Sequence, residues 1–143
     1  MADHQRRIVV GVDGSEPSRL ALRWAAQEAR LRDASLEVVT AWHIPAQLAS
    51  PAVPMVDIDF EAIARQTLAE EVSKVLGPDP GEMVQKVVNG HAARVLIDLS
   101  KHAELLVVGS RGLGEFTGTL LGSVSRHCTT HAHCSVVVVR AHS

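Results

Sequence analysis

The sequence predicts an α/β fold in which a parallel sheet is covered by helices on both faces. Short runs rich in Val, Ile and Leu, such as RIVVGVD and ELLVVG, indicate strands that are buried on both sides. Segments with apolar residues at helical spacing separate these runs. Strands that alternate with helices favour parallel pairing through right-handed crossovers. We therefore expect a three-layer, Rossmann-like α/β sandwich.

The size and charge of the chain limit the classes of protein to which it can belong. At 143 residues the chain fits a single domain spanning residues 1–143. A net charge of −2, with arginines spread along the chain, argues against nucleic acid or an anionic membrane surface as a partner. The two cysteines, Cys128 and Cys134, are too few for a disulfide framework. Without a signal-like or membrane-spanning apolar run, we expect a cytoplasmic location.

The first predicted strand, Arg7–Asp13, leads directly into a predicted helix. Between the two, Ser15 is a suitable N-cap and Pro17 falls in the first helical turn. The helix is then predicted by apolar residues at helical spacing, namely Leu20, Ala21, Trp24, Ala25 and Leu31.

A second strand and a second helix flank a proline-rich segment. The run SLEVVTAW, Ser35–Trp42, indicates the strand. Pro45, Pro51 and Pro54 then exclude a regular helix. From about Asp59 an amphipathic helix is predicted by the apolar positions Phe60, Ile63, Ala64, Leu68, Val72 and Val75.

The second half of the chain continues the alternation to five strands and about four helices. Strands are predicted at Met83–Val88, Glu104–Gly109 and Ser135–Arg140, and helices after Gly90 and over Ser123–His131. The face of the first of these helices is formed by Ala92, Val95, Leu96 and Leu99. Periodicity leaves the order of the strands in the sheet open. In the common doubly wound orders, ligands bind beyond the C-terminal ends of the strands, where the winding reverses.

Half of the glycines lie in one loop: five of the ten fall within Gly109–Ser125. Glycine is costly to order, so this is either a slack surface loop or a loop whose backbone must approach a ligand closely. It follows a strand and ends where a helix starts, and unpaired N–H groups at a helix start bind anions. It is not a Walker A loop, because the chain has no Gly-Lys pair, and the first strand is followed by GVDGSEPS rather than a dinucleotide fingerprint.

The glycine spacing resembles a motif of one known family. Gly109-x2-Gly112-x9-Gly122-Ser123 is similar to the G-2x-G-9x-G-[S/T] nucleotide motif in the ATP-binding branch of the universal stress protein family. The stretches RIVVGVDGSEPSRLALRWAAQEA and LLGSVSRHCTTHAHCSVVVVR resemble the opening and closing elements of that family. The resemblance covers nearly the whole chain except residues near 43–58. It implies the strand order 3-2-1-4-5, with the winding reversing between strands one and four.

The resemblance also implies a nucleotide site built from both loops at this reversal. Asp13 would sit by the ribose or phosphates and help to hold Mg²⁺, although a turn residue is the ordinary interpretation of an aspartate in VDGS. The adenosine side would be formed by Gly11, Val12 and Ala41, the last through its backbone. The ribose and phosphate side would be formed by Asp13, Gly109, Arg111, Gly112, Gly122, Ser123, Val124 and Ser125.

The function implied is that of an ATP-binding regulator of the stress response that acts as a homodimer. In this family the last strand commonly pairs with its copy, and an apolar edge at Val136, Val137, Val138 and Val139 would be a liability if left bare. Three alternatives stay open: binding of cyclic AMP or AMP, slow ATP hydrolysis, and an interaction module without nucleotide. No nucleophile with a neighbouring base is evident, so we assign no catalytic residue.

The histidines raise two further questions. In RHCTTHAHC, His127 and His131 are four residues apart, with Cys128, His133 and Cys134 close by, and these are residue types that zinc favours. Because Cys128 would point away from the face of the two histidines, we interpret the segment as a plain connection from helix to strand. His91 would cap its helix, line the edge of the site or be solvated.

Overall fold

The computed structural model describes residues 6–44, 58–112 and 121–141. Within these ranges the chain alternates strand and helix, as predicted. The proline-rich segment with Pro45, Pro51 and Pro54, and the loop glycines Gly114 and Gly118, lie outside the described residues. The elements are β1 (Arg7–Gly11), α1 (Glu16–Arg32), β2 (Ser35–Trp42), α2 (Phe60–Leu76), β3 (Val84–Asn89), α3 (Ala92–Ser100), β4 (Leu105–Gly109), α4 (Ser123–His131) and β5 (Ser135–Val139).

The five strands form one parallel sheet in the order β3-β2-β1-β4-β5, so the predicted order is confirmed. The central strand β1 pairs with β2 on one side and with β4 on the other; Ile8, for example, lies opposite Leu36 and Leu105. The winding therefore reverses between β1 and β4. At such a point the connections leave toward opposite faces, and a crevice opens beyond the C-terminal ends of the strands.

Side chains of the central strands alternate between two buried layers. On β1, Ile8 and Val10 pack with α1 and α2, whereas Val9 packs with α3 and α4. All three are fully buried, which explains why this strand is continuously apolar rather than alternating. The layers of helices on the two faces confirm the predicted sandwich.

Helix α1 begins as the sequence predicted, but one apolar residue does not join the core. The backbone N–H of Ser18 donates to Ser15 Oγ at 3.3 Å, so Ser15 caps the helix, and Pro17 lies in the first turn. Leu31 is 82% exposed, against the prediction. The buried stripe runs through Leu22 and Ala29, and Leu31 lies about two and a half turns after Leu22, on the opposite side of the helix.

Helix α2 buries a narrower stripe than predicted. Its N-cap is Asp59, which accepts a hydrogen bond from the N–H of Ala62 at 3.0 Å. Ala64, Leu68 and Val72 are buried at spacings of four residues, while Ile63 is 54% exposed, so Ile63 does not belong to the core face. None of the helices in the described ranges has the length and apolarity that a membrane span requires.

Four strands differ from their predicted bounds by one or two residues. The strand β3 begins and ends one residue later, β4 begins one residue later, and β5 ends one residue earlier. The strand β1 ends at Gly11 rather than Asp13. Beyond this end the N–H of Val12 makes one further bond to the neighbouring strand, to Val39 O at 2.9 Å. The chain then turns away through Gly14, whose φ of 88° suits glycine.

Candidate functional site

A pocket opens where the winding of the sheet reverses, beyond the ends of β1 and β4. It brings together ten of the eleven residues predicted for the site, and Ser123, exposed on the first turn of α4, is the exception. The lining consists of Gly11, Val12, Asp13, Ser18, Val39, Ala41, Ala92, Leu96, Val108, Gly109, Arg111, Gly112, Gly122, Val124 and Ser125.

Hydrogen bonds at the start of α1 fix the carboxylate of Asp13. Its Oδ1 accepts from the N–H of Ser15 at 2.9 Å and from the hydroxyl of Ser15 at 2.5 Å. A Cβ atom on Gly112 would lie 2.7 Å from Asp13 Oδ2. Asp13 is thus a turn residue of the kind that the sequence suggested, and its carboxylate also lies against the glycine loop. The two interpretations do not exclude each other.

The two ends of the glycine loop are joined by short hydrogen bonds around Ser110. The carbonyl of Ser110 accepts from the N–H of Gly122 at 2.7 Å and from the hydroxyl of Ser125 at 3.0 Å. The N–H of Ser110 donates to Val139 O at 2.8 Å. Ser125 is buried, and its hydroxyl serves this internal contact. The groups that Gly122 and Ser125 were expected to offer a phosphate are therefore partly engaged within the protein.

The first turn of α4 lies at the pocket and has backbone N–H groups that precede the intrahelical hydrogen bonds. The first intrahelical bond runs from the N–H of Arg126 to the carbonyl of Gly122 at 3.0 Å. The N–H groups of Val124 and Ser125 precede that bond, and both residues line the pocket. Such groups carry the positive end of the helix dipole, which favours an anion.

Packing within the protein requires a glycine at position 109. A Cβ atom at this position would lie 2.7 Å from the carbonyl carbon of Pro17 and 2.8 Å from the backbone nitrogen of Ser18. These are backbone atoms in the first turn of α1, which cannot move away without shifting the helix. Gly109 therefore lets α1 pack against the end of β4, whether or not a ligand binds.

The opposite end of the pocket is apolar and contains the end of β2. On one edge of that strand, Val39 O accepts from Val12; on the other, Trp42 O accepts from the N–H of Gly90 at 2.8 Å. Backbone groups of alternate residues in a strand point to the same edge. The N–H and C=O of Ala41 consequently face the edge where β1 has already ended. They are a donor and an acceptor at the apolar end of the crevice.

Five lining residues were not predicted, and only some of them had a signal in the sequence. Val39 shares a strand face with Ala41, and Val108 precedes Gly109, so both could have been found by extending the strand pattern. Ala92 and Leu96 come from α3, whose position over this crevice depends on the tertiary fold. A Cβ atom on Gly11 would lie 2.8 Å from Leu96 Cδ1, so this glycine makes room for α3.

The cysteines and histidines near α4 do not form a cluster. In the parts of the chain that the structure describes, no group of three or more His, Cys, Asp or Glu side chains could hold a metal ion. Burial raises the pKa of the Cys128 thiol to about 11, and the nearby Cys134 adds to the shift. A thiol of this kind stays protonated at neutral pH and is a poor metal ligand. His127 and His131 are exposed and hold their ring centres 6.4 Å apart.

The fold and the pocket define a doubly wound α/β protein with a pocket at its switch point, where proteins of this class bind ligands. The model of the Universal stress protein family matches residues 5–140, and the chain belongs to this family. It is 41% identical over 142 residues to a universal stress protein of Mycolicibacterium smegmatis, covering 92% of this chain and 47% of that protein. The chain spans about half the length of such relatives.

Solved structures of universal stress proteins share the fold. UspA from Lactobacillus plantarum superposes with a TM-score of 0.77 at 20% identity, covering 97% of this chain and 100% of that chain. A universal stress protein in complex with cAMP superposes with a TM-score of 0.70 at 28% identity, covering 95% of this chain and 97% of that chain. The resemblance stated from the sequence is thereby confirmed at the level of the family.

Proposed function

We propose that this domain binds an adenine nucleotide, ATP with Mg²⁺, in the pocket between β1 and β4, and that it acts as a nucleotide-dependent regulator in stress. One observation carries the proposal. The pocket combines an apolar end that carries the backbone donor and acceptor of Ala41 with a polar end formed by the glycine loop and the start of α4. The apolar end suits the base of a nucleotide, and the polar end suits its ribose and phosphates.

The apolar end suits adenine. Its walls are aliphatic, formed by Val39, Ala92, Leu96 and Val108. A flat base buries its faces against such walls and is read by a few polar groups at its edge. An adenine amino group would donate to the carbonyl of Ala41, while a ring nitrogen would accept from its N–H.

The polar end suits phosphates. The N–H groups of Val124 and Ser125 and the helix dipole favour negative charge, and Arg111 adds a cation. Asp13 is a carboxylate at the same end. Mg²⁺ in nucleotide sites is commonly held by one or two carboxylates together with phosphate oxygens. Asp13 would thus hold the cation that accompanies ATP. This role explains why a negatively charged side chain lies in a site that otherwise favours a negatively charged ligand.

The proposed site allows slow ATP hydrolysis, but we assign it no dedicated catalytic residue. Mg²⁺ would polarise a phosphate toward attack by water. Apart from the carboxylate of Asp13, which Ser15 already engages, the lining residues that the structure describes include no side chain suited to act as a general base. If hydrolysis occurs, Asp13→Asn will abolish it while keeping an acceptor for the two bonds from Ser15.

Cyclic AMP is the second candidate ligand. It is favoured by one observation: the solved relative at 28% identity is a complex with cAMP. The same apolar end would hold its base. Its single phosphodiester has no need of Mg²⁺, so dependence of binding on Mg²⁺ separates the two ligands.

Calorimetric titration with Mg-ATP, ATP in EDTA, AMP and cyclic AMP tests the proposal. Gly122 is the N-cap of α4 with a φ of −76°, which an aspartate or an asparagine adopts readily. Gly122→Asp will abolish ATP binding because it adds a negative charge beside the phosphates. Gly122→Asn is the matched control and will retain more affinity, since it has the same shape without the charge. Native protein that is free of co-purified nucleotide and binds no adenine nucleotide would refute the proposal.

We further propose that two copies associate through β5. Among the described elements this edge strand pairs only with β4, and its four valines are half-buried rather than fully covered. An apolar strand edge of this kind invites pairing with another strand. Sedimentation at micromolar concentration will give the mass of a dimer, and Val138→Lys will give that of a monomer. A monomeric native protein would overturn this part of the proposal without affecting the nucleotide site.

A further inference from the structure

Two exposed histidines, His43 and His91, lie against each other and are close in the chain to residues of the pocket lining. His43 follows β2 and His91 precedes α3, and their ring centres lie 5.2 Å apart with the planes tilted by 43°. They are 48 residues apart in sequence, so the fold, and not a local helical repeat, brings them together. Ala41 and Ala92, which line the pocket, lie close to them in the chain.

The backbone holds the two histidines in place. The N–H of Gly90 donates to Trp42 O at 2.8 Å, which ties the residue before His91 to the residue before His43. His91 occupies the N-cap position of α3, yet its side chain makes no capping hydrogen bond. Its ring lies against His43 instead. The backbone positions of the two histidines are therefore set by the sheet and by the start of the helix.

We propose that His43 and His91 bind one divalent transition-metal ion of the zinc type. Two imidazoles that each give one nitrogen to a tetrahedral zinc ion hold their ring centres about 5 Å apart, because each Zn–N bond is about 2.0–2.1 Å long. The observed separation of 5.2 Å matches this arrangement. The rings are exposed, so the ion reaches them from solvent and keeps two positions for water or for a molecule in the pocket.

This site is distinct from the one proposed for Mg²⁺ at Asp13. Imidazole nitrogen suits zinc, nickel and copper, whereas Mg²⁺ takes oxygen ligands. Another histidine pair among the described residues, His127 and His131, provides an internal comparison. Its rings are 6.4 Å apart and nearly parallel, and His127 Nδ1 donates to Ser123 O at 2.8 Å. These rings must turn before they can share one ion, so we expect this pair to bind more weakly.

Titration of the EDTA-stripped full chain with zinc sulfate at pH 7.5 tests the inference, with no nucleotide present. His43→Asn and His91→Asn are exposed changes, and asparagine is a good N-cap at position 91. The native chain is expected to bind one zinc ion at these two histidines, each single variant to lose it, and the double variant His127→Asn/His131→Asn to keep it. The circular dichroism spectrum of each variant checks folding.

Three results would overturn the inference: no zinc binding by the native chain, zinc retained in either single variant, or zinc lost in the double variant. Copper-induced broadening of histidine ring signals in NMR spectra gives a second readout. As copper is added to the native chain, the first signals to broaden will be those of His43 and His91, which are identified by their absence from the spectra of His43→Asn and His91→Asn. Because these measurements use metal alone, their failure leaves the proposed nucleotide site untouched.

Discussion

Replacing Gly109 with alanine is expected to destabilise the fold before it affects any ligand. The new Cβ would lie 2.7 Å from the carbonyl carbon of Pro17, 2.8 Å from the nitrogen of Ser18 and 2.9 Å from Pro17 Cβ. Favourable contacts between carbon atoms lie at about 3.5–4.0 Å, so α1 must move by up to about 1 Å relative to β4. Overpacking of this kind costs about 1–3 kcal/mol.

Thermal unfolding without nucleotide, followed by circular dichroism, measures this cost. For a domain of this size the loss corresponds to a fall in Tm of about 3–10 °C. Gly112→Ala is the matched control. Among the described residues its Cβ would crowd only the Asp13 carboxylate, which is the end of a side chain and not helix backbone, so its Tm should fall less. A Gly109→Ala variant with the native Tm would show that α1 is not held against β4, and the packing argument would fail.

Three further predictions concern hydrogen bonds, thiols and ion pairs. Ser15→Ala removes the cap of α1 and will lower the free energy of unfolding in urea by about 1 kcal/mol, whereas Ser15→Thr will retain most of it; equal losses would contradict the capping role. The pKa of Cys128 is raised from 9.0 to about 11, so the unfolded chain loses the thiol proton first and stability will fall as pH rises through this window. Cys128→Ala should flatten that decline in Tm, and an unchanged slope would refute the assignment. Arg19→Ala removes the two-point contact to the buried Glu71, and Lys74 at 3.7 Å is its one remaining ion pair among the described residues. This variant will lower Tm more than Arg19→Lys; the reverse order would exclude the ion pair as the cause.

The order of the elements and several of their bounds could be predicted closely from the sequence. Strand β2 and helix α4 have the predicted bounds. Apolar residues at the margins of helices were less predictable. Leu31 and Ile63 fit a helical period but lie exposed, since the width of the buried stripe depends on how many neighbours the helix packs against. That number is a property of the whole fold.

The residues of the candidate site could be predicted where they lie in segments with a recognisable sequence pattern. The glycine spacing and the turn after β1 placed most of the lining at one crevice. Ala92 and Leu96 could not be assigned, because only the docking of α3 over β1 brings them there. Ser123 fits the spacing of the motif, yet its position on the first turn of α4 leaves it exposed, outside the lining.

Glycine is required at each position of the site by a different contact, and the spacing of the motif does not reveal these contacts. Gly109 accommodates the backbone of α1, and Gly11 accommodates the side chain of Leu96. Gly112 makes room for the carboxylate of Asp13. Gly122 closes the loop by donating to Ser110 and accepts the first hydrogen bond of α4. Four glycines thus let a helix, a side chain, a carboxylate and a loop end converge on one crevice, and a pocket lined by backbone remains between them. A glycine-rich motif can therefore indicate a ligand site even where each glycine is required by a contact within the protein.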